Sequence, residues 1–409
     1  MLNKRFWIWA TVLLLIAAVG TATAKELTQK ERLGKLIFED TSLSTPPGQI
    51  CESCHVDEVA FADPRSDRGV SPGAVSGRFG LRNSPSIQYD FSPDFHFNES
   101  SGKFEGGQFR DGRANNLIEQ EKLPFLNQLE INDPNKSTVI IKIRASNKIA
   151  PLFKVVYGKD SLDNVDTAYD HMAEALATYV KSSDLIKFTS KFDYYLAGKV
   201  DLTKQEKKGL ELFNTPINTC STCHITVSGP FADKPLFTDF TYGNPGGPSN
   251  LGMLGDSPSL QYYFPFYYPM PINTPANPDG LNFVDKGLGG ALEIAGYPHD
   301  GPQGYANQTG KFKVPSLRNV AITAPYFHNG ALRTLKEVVH LYNTRDTLGD
   351  CAKNATPKPS VNCWPLPEVP QTKNLAVGNL GLTDEEENDI VAFLGTLTDG
   401  FVHDDGNNQ

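Results

Sequence analysis

The chain has 409 residues, with 38 basic against 47 acidic side chains and a formal net charge of −9. This negative balance argues against nucleic acid as a partner. At about 150 residues per domain, the length predicts two or three domains with enough material for hydrophobic cores.

The N-terminus has the pattern of an export signal. Lys4 and Arg5 precede an apolar run that ends near Val19, and Ala22 and Ala24 form a small-residue cleavage site. We therefore predict a signal peptide over residues 1–24. The alternative is a retained membrane anchor, for which the apolar run is short. No later stretch is apolar enough to span a bilayer, so no membrane span is expected after removal of the signal.

Four of the six cysteines lie in two Cys-x-x-Cys-His motifs, formed by Cys51, Cys54 and His55 and by Cys220, Cys223 and His224. Such a motif attaches a c-type haem, because two sulfurs bond the vinyl groups while the histidine reaches the iron. A zinc site or a redox dithiol explains two such motifs in an exported protein less well. We predict two covalently bound haems.

The two remaining cysteines, Cys351 and Cys363, bracket a proline-containing stretch near the C-terminus. In an oxidising compartment they are expected to form a disulfide, and two free thiols are the alternative.

The chain repeats itself around the two motifs. Leu27, Thr28, Glu31, Gly34 and Phe38 recur at one constant spacing as Leu202, Thr203, Glu206, Gly209 and Phe213. Each copy opens with a Thr-x-x-Glu capping box, which predicts a helix start ahead of each haem motif. After the motifs, Phe109, Gly112, Leu117 and Glu119 recur as Phe327, Gly330, Leu335 and Glu337.

These repeats predict a mainly α-helical protein made of two related cytochrome c-type haem domains with long loops, over residues 25–190 and 191–409. Apolar residues at helical spacing predict a further helix over residues 167–180. Thr383 and Glu386 form another capping box and predict a terminal helix, which we expect to pack back on the N-terminal domain.

The reactivity of each haem depends on the side opposite its histidine. A filled iron position there favours electron transfer, and an open one admits peroxide or oxygen. Pro124 follows Leu117 at the same distance as Tyr342 follows Leu335. Proline offers no ligand, whereas a tyrosine phenolate can bind ferric iron, so the first haem is predicted to be open and the second to be bound by Tyr342.

Other ligands for the second iron stay open: His340, Met253 or Met270, with Tyr342 as a buried core residue. Near Pro124, Gln120 and Glu130 supply acid–base groups. Cleavage of a peroxide needs a proton moved from one oxygen to the other, and a poorly solvated carboxylate can do this. Glu130 is the candidate, although an exposed glutamate is the simpler interpretation.

These residues match a family. The segments that carry the match are Arg82, Asn83 and Pro85, residues 109–114, Gln120, Pro124 and Glu130, and residues 314–319 and 324–330. Together they resemble the bacterial diheme cytochrome c peroxidase and MauG superfamily over nearly the whole mature chain. The resemblance implies a peroxide-reactive N-terminal haem and a C-terminal electron-transfer haem. It also implies a calcium ion at the domain interface, held by the Asn83 side chain and the carbonyls of Thr323 and Pro325.

Within that family, several positions distinguish this chain. Tyr342 stands where peroxidases place a methionine, as in MauG-like enzymes, and no histidine lies between His55 and Asn83 to block the first haem. Arg110 replaces the tryptophan that relays electrons between the haems, and Arg110 is not a redox relay. Asn218 replaces the surface tryptophan through which MauG oxidises its partner protein.

We therefore predict a periplasmic diheme oxidoreductase that reacts with hydrogen peroxide. Its electrons are expected from a small periplasmic donor, a cytochrome c or a cupredoxin, or from a protein substrate. The alternative is a non-enzymatic diheme electron-transfer cytochrome. The sequence leaves open whether the protein forms a homodimer.

Overall fold

The structure is a computed structural model that describes residues 26–65, 69–216, 220–246, 284–353, 356, 358–367 and 369–403. The helices in these ranges are α1 (Gln29–Phe38), α2 (Leu117–Leu126), α3 (Lys136–Ala145), α4 (Ile149–Tyr157), α5 (Val165–Val180), α6 (Lys191–Leu196), α7 (Lys204–Asn214), α8 (Cys220–Cys223), α9 (Gly287–Ile294), α10 (Leu335–Thr344) and α11 (Asp384–Gly395). The mainly helical class is confirmed. The predicted signal peptide, Asn218, Met253 and Met270 lie outside the described residues.

Strands are few and short in this part of the chain. They are β1 (His96–Asn98), β2 (Lys103–Glu105), β3 (Tyr242–Gly243) and β4 (Phe312–Lys313), and they pair antiparallel as β1 with β2 and β3 with β4. No helix among the described ranges is both long and apolar enough to cross a bilayer.

The repeated capping boxes begin α1 and α7 as predicted. The Thr28 hydroxyl accepts the backbone N–H of Glu31 at 3.3 Å, and Thr203 accepts that of Glu206 at 3.2 Å. In return each glutamate accepts the backbone N–H of its threonine at 2.6 Å. In each helix two backbone N–H groups at the N-terminus thereby gain acceptors that they would otherwise lack.

The two halves of the protein pack their helices in the same way. Helix α1 lies against α5, and α7 lies against α11. Both contacts are close because each uses a repeated glycine. A Cβ added at Gly34 would meet the Ala175 carbonyl oxygen at 2.1 Å, and one at Gly209 would meet the Asp389 carbonyl oxygen at 1.9 Å.

Two apolar cores follow from this packing. The first collects buried side chains between residues 33 and 185, including Val139, Phe153 and Leu176. The second collects buried side chains between residues 192 and 397, including Phe237 and Phe393.

The terminal helix does not lie where we expected it. Helix α11 begins at the predicted capping box of Thr383 and Glu386, but it packs on α7 in the second core rather than on the N-terminal domain. The reason is Gly209, whose missing side chain opens a groove for the α11 backbone. The segment after the helix reaches the first half, where Asp399 accepts the Tyr89 hydroxyl at 2.6 Å.

Candidate active site

The first Cys-x-x-Cys-His motif forms a tight turn. Cys51 begins a short 3-10 turn, and its carbonyl accepts the backbone N–H groups of Cys54 and His55, both at 3.0 Å. The second motif has the same turn, since the Cys220 carbonyl accepts the His224 N–H at 3.0 Å. None of these four cysteines forms a disulfide within the described part of the chain.

The histidine of the first motif is held in one orientation. His55 Nδ1 lies 2.9 Å from the carbonyl oxygen of Phe61, so this nitrogen donates the hydrogen bond. Its other nitrogen, Nε2, then carries the free lone pair that an iron needs. Burial lowers the pKa of His55, which favours the neutral form that can bind a metal.

The second motif repeats this arrangement. His224 Nδ1 donates to the Phe237 carbonyl at 2.8 Å. Next to these acceptors, Ser86 donates to the Ala60 carbonyl at 2.6 Å, and Ser316 donates to the Leu236 carbonyl at 2.7 Å. Two thiols and one oriented histidine per motif are the donor set of a covalently attached haem, so the residues present fit two such groups.

Two equivalent helices carry the residues predicted opposite the histidines. Asn116 caps the start of α2, where its side chain accepts the Glu119 N–H at 3.0 Å. Thr334 caps α10, where it accepts the Glu337 N–H at 3.1 Å. Pro124 and Tyr342 lie at the same position relative to these caps, so the predicted equivalence of α2 and α10 is confirmed.

Glu130 lies near the first motif. Burial raises the pKa of both Cys51 and Cys54, and the charge of Glu130 adds a smaller rise. Asn127 donates to Glu130 Oε1 at 2.7 Å. Burial raises the pKa of Glu130, while Arg113 and the Asn127 hydrogen bond oppose that rise. Such an environment suits a carboxyl group that both takes and gives a proton.

Glu121 is a second carboxylate at this site, and the sequence reasoning missed it. It lies three residues before Pro124 on α2, hence on the same helix face, beside Gln120. The charge of Glu121 raises the pKa of Cys51, and burial followed by the charge of Asp90 raises the pKa of Glu121 itself to about 8. Its spacing from Pro124 indicates a shared helix face, but no sequence pattern indicates its burial or its interaction with Cys51.

Tyr342 lies near the second motif. Burial, then the charges of Cys220 and Cys223, raise the pKa of its hydroxyl. Its ring packs edge-on against Phe327. The Nδ1 atom of His340, the alternative ligand, lies 2.8 Å from a carboxylate oxygen of Glu387.

The expected calcium site is occupied differently. The Asn83 side-chain oxygen accepts a hydrogen bond from Arg110 Nη2 at 2.6 Å, and the Asn83 backbone carbonyl accepts Arg110 Nε at 2.9 Å. An oxygen bound to a guanidinium is not free in this arrangement to bind a cation. The residues present therefore do not fit a calcium ion held by Asn83, Thr323 and Pro325.

Cys351 and Cys363 form the expected disulfide, with Cα atoms 4.9 Å apart. The neighbouring Trp364 is buried at 2% exposure and donates its indole N–H to the Thr344 hydroxyl at 3.0 Å, at the end of α10. The disulfide loop is thereby attached to the helix that carries Tyr342.

Comparisons with known proteins show the family of this chain. The family model described as di-haem cytochrome c peroxidase matches residues 28–201. The methylamine utilization protein MauG of Paracoccus denitrificans is 34% identical over 401 residues, covering 95% of this chain and 94% of that protein. The chain belongs to the di-haem cytochrome c peroxidase and MauG family. It is accordingly an enzyme of that family.

Two solved structures share its fold. The diheme peroxidase BthA from Burkholderia thailandensis is 28% identical, with a TM-score of 0.72, over 92% of this chain and 87% of that one. A MauG-like protein associated with microbial copper homeostasis is 26% identical, with a TM-score of 0.62, over 97% of this chain and 96% of that one. Members of this family thus include named peroxidases and MauG-like proteins.

Proposed function

We propose that this protein is a periplasmic, peroxide-dependent diheme oxidoreductase of the MauG-like branch. Hydrogen peroxide reacts in the pocket of the first Cys-x-x-Cys-His motif, and the second haem unit transfers electrons. The observation that carries the proposal is the difference between two equivalent helix positions, Pro124 on α2 and Tyr342 on α10. One offers no ligand, and the other offers a phenol beside Cys220 and Cys223.

Each haem, when bound through its two cysteines and its histidine, supplies the redox chemistry of the reaction. The protein supplies proton transfer. Glu130 takes a proton from one peroxide oxygen and delivers a proton to the other, so that the O–O bond breaks and water leaves. Gln120 lies one turn before Pro124 and orients the peroxide, while Asn127 holds the Glu130 carboxylate.

The balance of the reaction requires a reductant. Hydrogen peroxide takes up two electrons and two protons to give two molecules of water. The electrons come either from a small periplasmic cytochrome c or cupredoxin, or from side chains of a protein that is oxidised. Tyr342 favours the protein substrate, because this ligand distinguishes MauG-like enzymes. Export to the periplasm is supported by the signal-peptide pattern over residues 1–24.

Burial and then the charges of Cys220 and Cys223 raise the pKa of Tyr342 and favour the neutral phenol, while the charge of Arg345 opposes the rise. A ferric haem bound at the second motif would add a positive charge, and this charge would stabilise the phenolate. The phenolate form of Tyr342 would therefore be favoured only with the second haem bound.

Cyanide binding and peroxide titration of the purified ferric holoprotein test the proposal. We expect one of the two haems to be high-spin, to bind cyanide and to be oxidised by stoichiometric peroxide, while the other keeps its low-spin spectrum. A spectrum in which both haems are low-spin and neither responds to cyanide or peroxide would contradict the proposal and favour the electron-transfer cytochrome.

A further inference from the structure

Arg110 lies at the junction of the two halves of the protein. Its backbone carbonyl accepts the Lys313 N–H at 2.8 Å, and its guanidinium makes two hydrogen bonds to Asn83, at 2.6 and 2.9 Å. Asn83 in turn donates its backbone N–H to the His328 carbonyl at 2.7 Å. Arg110 and Asn83 together thus connect the first haem unit to two segments of the second.

The charge of Arg110 has no carboxylate partner of its own in the described ranges. The nearby carboxylates bind Arg82 instead. Arg82 donates two hydrogen bonds of 2.7 Å to Asp285 and one of 2.6 Å to Asp111. Burial, followed by the charge of Arg82, lowers the pKa of Arg110 to about 10. The guanidinium therefore remains positively charged at neutral pH and faces neutral oxygens instead of an anion.

Oxygen atoms in the same junction remain available. The carbonyls of Thr323 and Pro325, in the loop that contains His328, accept no hydrogen bond within the described part of the chain. A hard cation prefers such carbonyl and amide oxygens. In this chain, however, the Asn83 amide oxygen that would complete the set is bound to a guanidinium.

We propose that the Arg110 guanidinium is the resident cation of the interface between the two haem units, and that it takes the place of a bound calcium ion. A guanidinium gives Asn83 two directional hydrogen bonds, and its charge repels a divalent ion that approaches the same oxygen. Arg110 also stands where the family that this chain resembles has a tryptophan that relays electrons, so no aromatic relay occupies this position. The interface of this protein therefore holds together without calcium, and chelators leave it intact.

The metal content of the wild-type holoprotein is the first test. The protein is incubated with CaCl₂, passed through a desalting column and analysed for calcium by mass spectrometry. We expect far less than one calcium ion per chain, and an unchanged optical spectrum and Tm in excess EGTA. One tightly held calcium ion per chain, whose removal by EGTA changes the spectrum or lowers the Tm, would overturn the proposal.

Arg110→Gln is the second test, with Arg113→Gln as its matched control. Both variants remove one positive charge from the same loop, but Arg113 contacts Asp111 rather than Asn83. Without the guanidinium, the Asn83 oxygen becomes available to a cation. We expect the Tm of Arg110→Gln to rise by about 2 °C or more between EGTA and millimolar CaCl₂, whereas wild type and Arg113→Gln do not respond.

The comparison has two outcomes that count against the proposal. If Arg110→Gln is as insensitive to calcium as wild type, Arg110 does not displace a cation. If Arg113→Gln becomes equally sensitive, the effect is one of net charge and not of the Asn83 contact. Should Arg110→Gln fail to fold, the calcium content of the wild type decides alone.

Discussion

The ring of Phe327 lies edge-on to the ring of Tyr342, with centroids 6.3 Å apart and planes at 84°. Phe327 adopts a left-handed backbone conformation, with φ at 70°, as does its repeat counterpart Phe109 at 62°. The second phenylalanine thus packs against a phenol where the first half of the protein has Pro124. This contact orients Tyr342 on α10 and restricts its rotation.

Tyr342→Phe separates a MauG-like enzyme from an ordinary peroxidase. The variant keeps the ring and its packing but loses the oxygen that lies near Cys220 and Cys223. We expect the oxidised state produced by peroxide to decay at least about tenfold faster than in wild type, which corresponds to about 1.4 kcal/mol. The measurement is stopped-flow absorbance with EPR of the same samples.

Tyr326→Phe is the control for this experiment. The Tyr326 hydroxyl donates to the Val320 carbonyl at 2.9 Å, so its loss removes a hydrogen bond in the same half of the protein. We expect the spectrum and the lifetime of the oxidised state to stay as in wild type. Equal lifetimes for wild type and Tyr342→Phe would refute the role of Tyr342.

Asn127→Leu tests proton transfer by Glu130. The Asn127 hydrogen bond stabilises the carboxylate and lowers the pKa of Glu130, so its removal raises that pKa further. The active form is the carboxylate. The rise of the peroxide reaction rate with pH is therefore expected to move to higher pH, which a stopped-flow pH profile measures.

Two further variants are compared with Asn127→Leu. Glu130→Gln is expected to slow the reaction about 10²- to 10⁴-fold, because the proton shuttle is lost. Glu119→Gln changes an exposed glutamate on the same helix and is expected to leave the rate within about twofold. A pH profile of Asn127→Leu that coincides with wild type would show that another group accepts the proton.

Local patterns made much of the fold and site predictable. The capping boxes of α1 and α7 and the equivalence of Pro124 and Tyr342 each depend on residues a few positions apart. The position of α11 was not predictable, because it depends on the groove that Gly209 opens in a distant helix. Glu121 was missed for a similar reason.

Distance along the chain explains the errors at the site as well. Glu121 is half-buried by the fold and interacts with Cys51 and Asp90, which precede it by many residues. The Arg110 hydrogen bonds to Asn83 join two loops that are 27 positions apart. No periodicity or spacing rule relates such residues, so only the folded chain brings them together.

Glu121→Gln is expected to change the pH dependence of stability. Burial raises the pKa of Glu121 from 4.5 to about 8, so the folded protein binds this proton more tightly than the unfolded chain. The full stability is present below the unfolded pKa, and it falls as the pH rises through about 8, by about 1.4 kcal/mol for each pKa unit. The glutamine variant lacks this loss.

Thermal unfolding of the holoprotein between pH 5 and 9 measures the effect. The Tm of Glu121→Gln is expected to exceed that of wild type by a margin that grows with pH, while Glu119→Gln follows the wild-type curve. Parallel curves for wild type and Glu121→Gln would mean that the Glu121 carboxyl is already ionised in the folded protein at neutral pH.

Gly209→Ala tests the packing of α7 on α11. The added Cβ would lie 1.9 Å from the Asp389 carbonyl oxygen, and backbone cannot move aside as a flexible side chain does. We expect a loss of about 1 to 3 kcal/mol, seen as a Tm several degrees lower, and a comparable loss for Gly34→Ala in the first half. Gly395→Ala is the matched control, because nothing lies within 4 Å of its added Cβ and alanine favours helix α11. If all three variants keep the wild-type Tm, the helix pairs are looser than the contacts at Gly34 and Gly209 indicate.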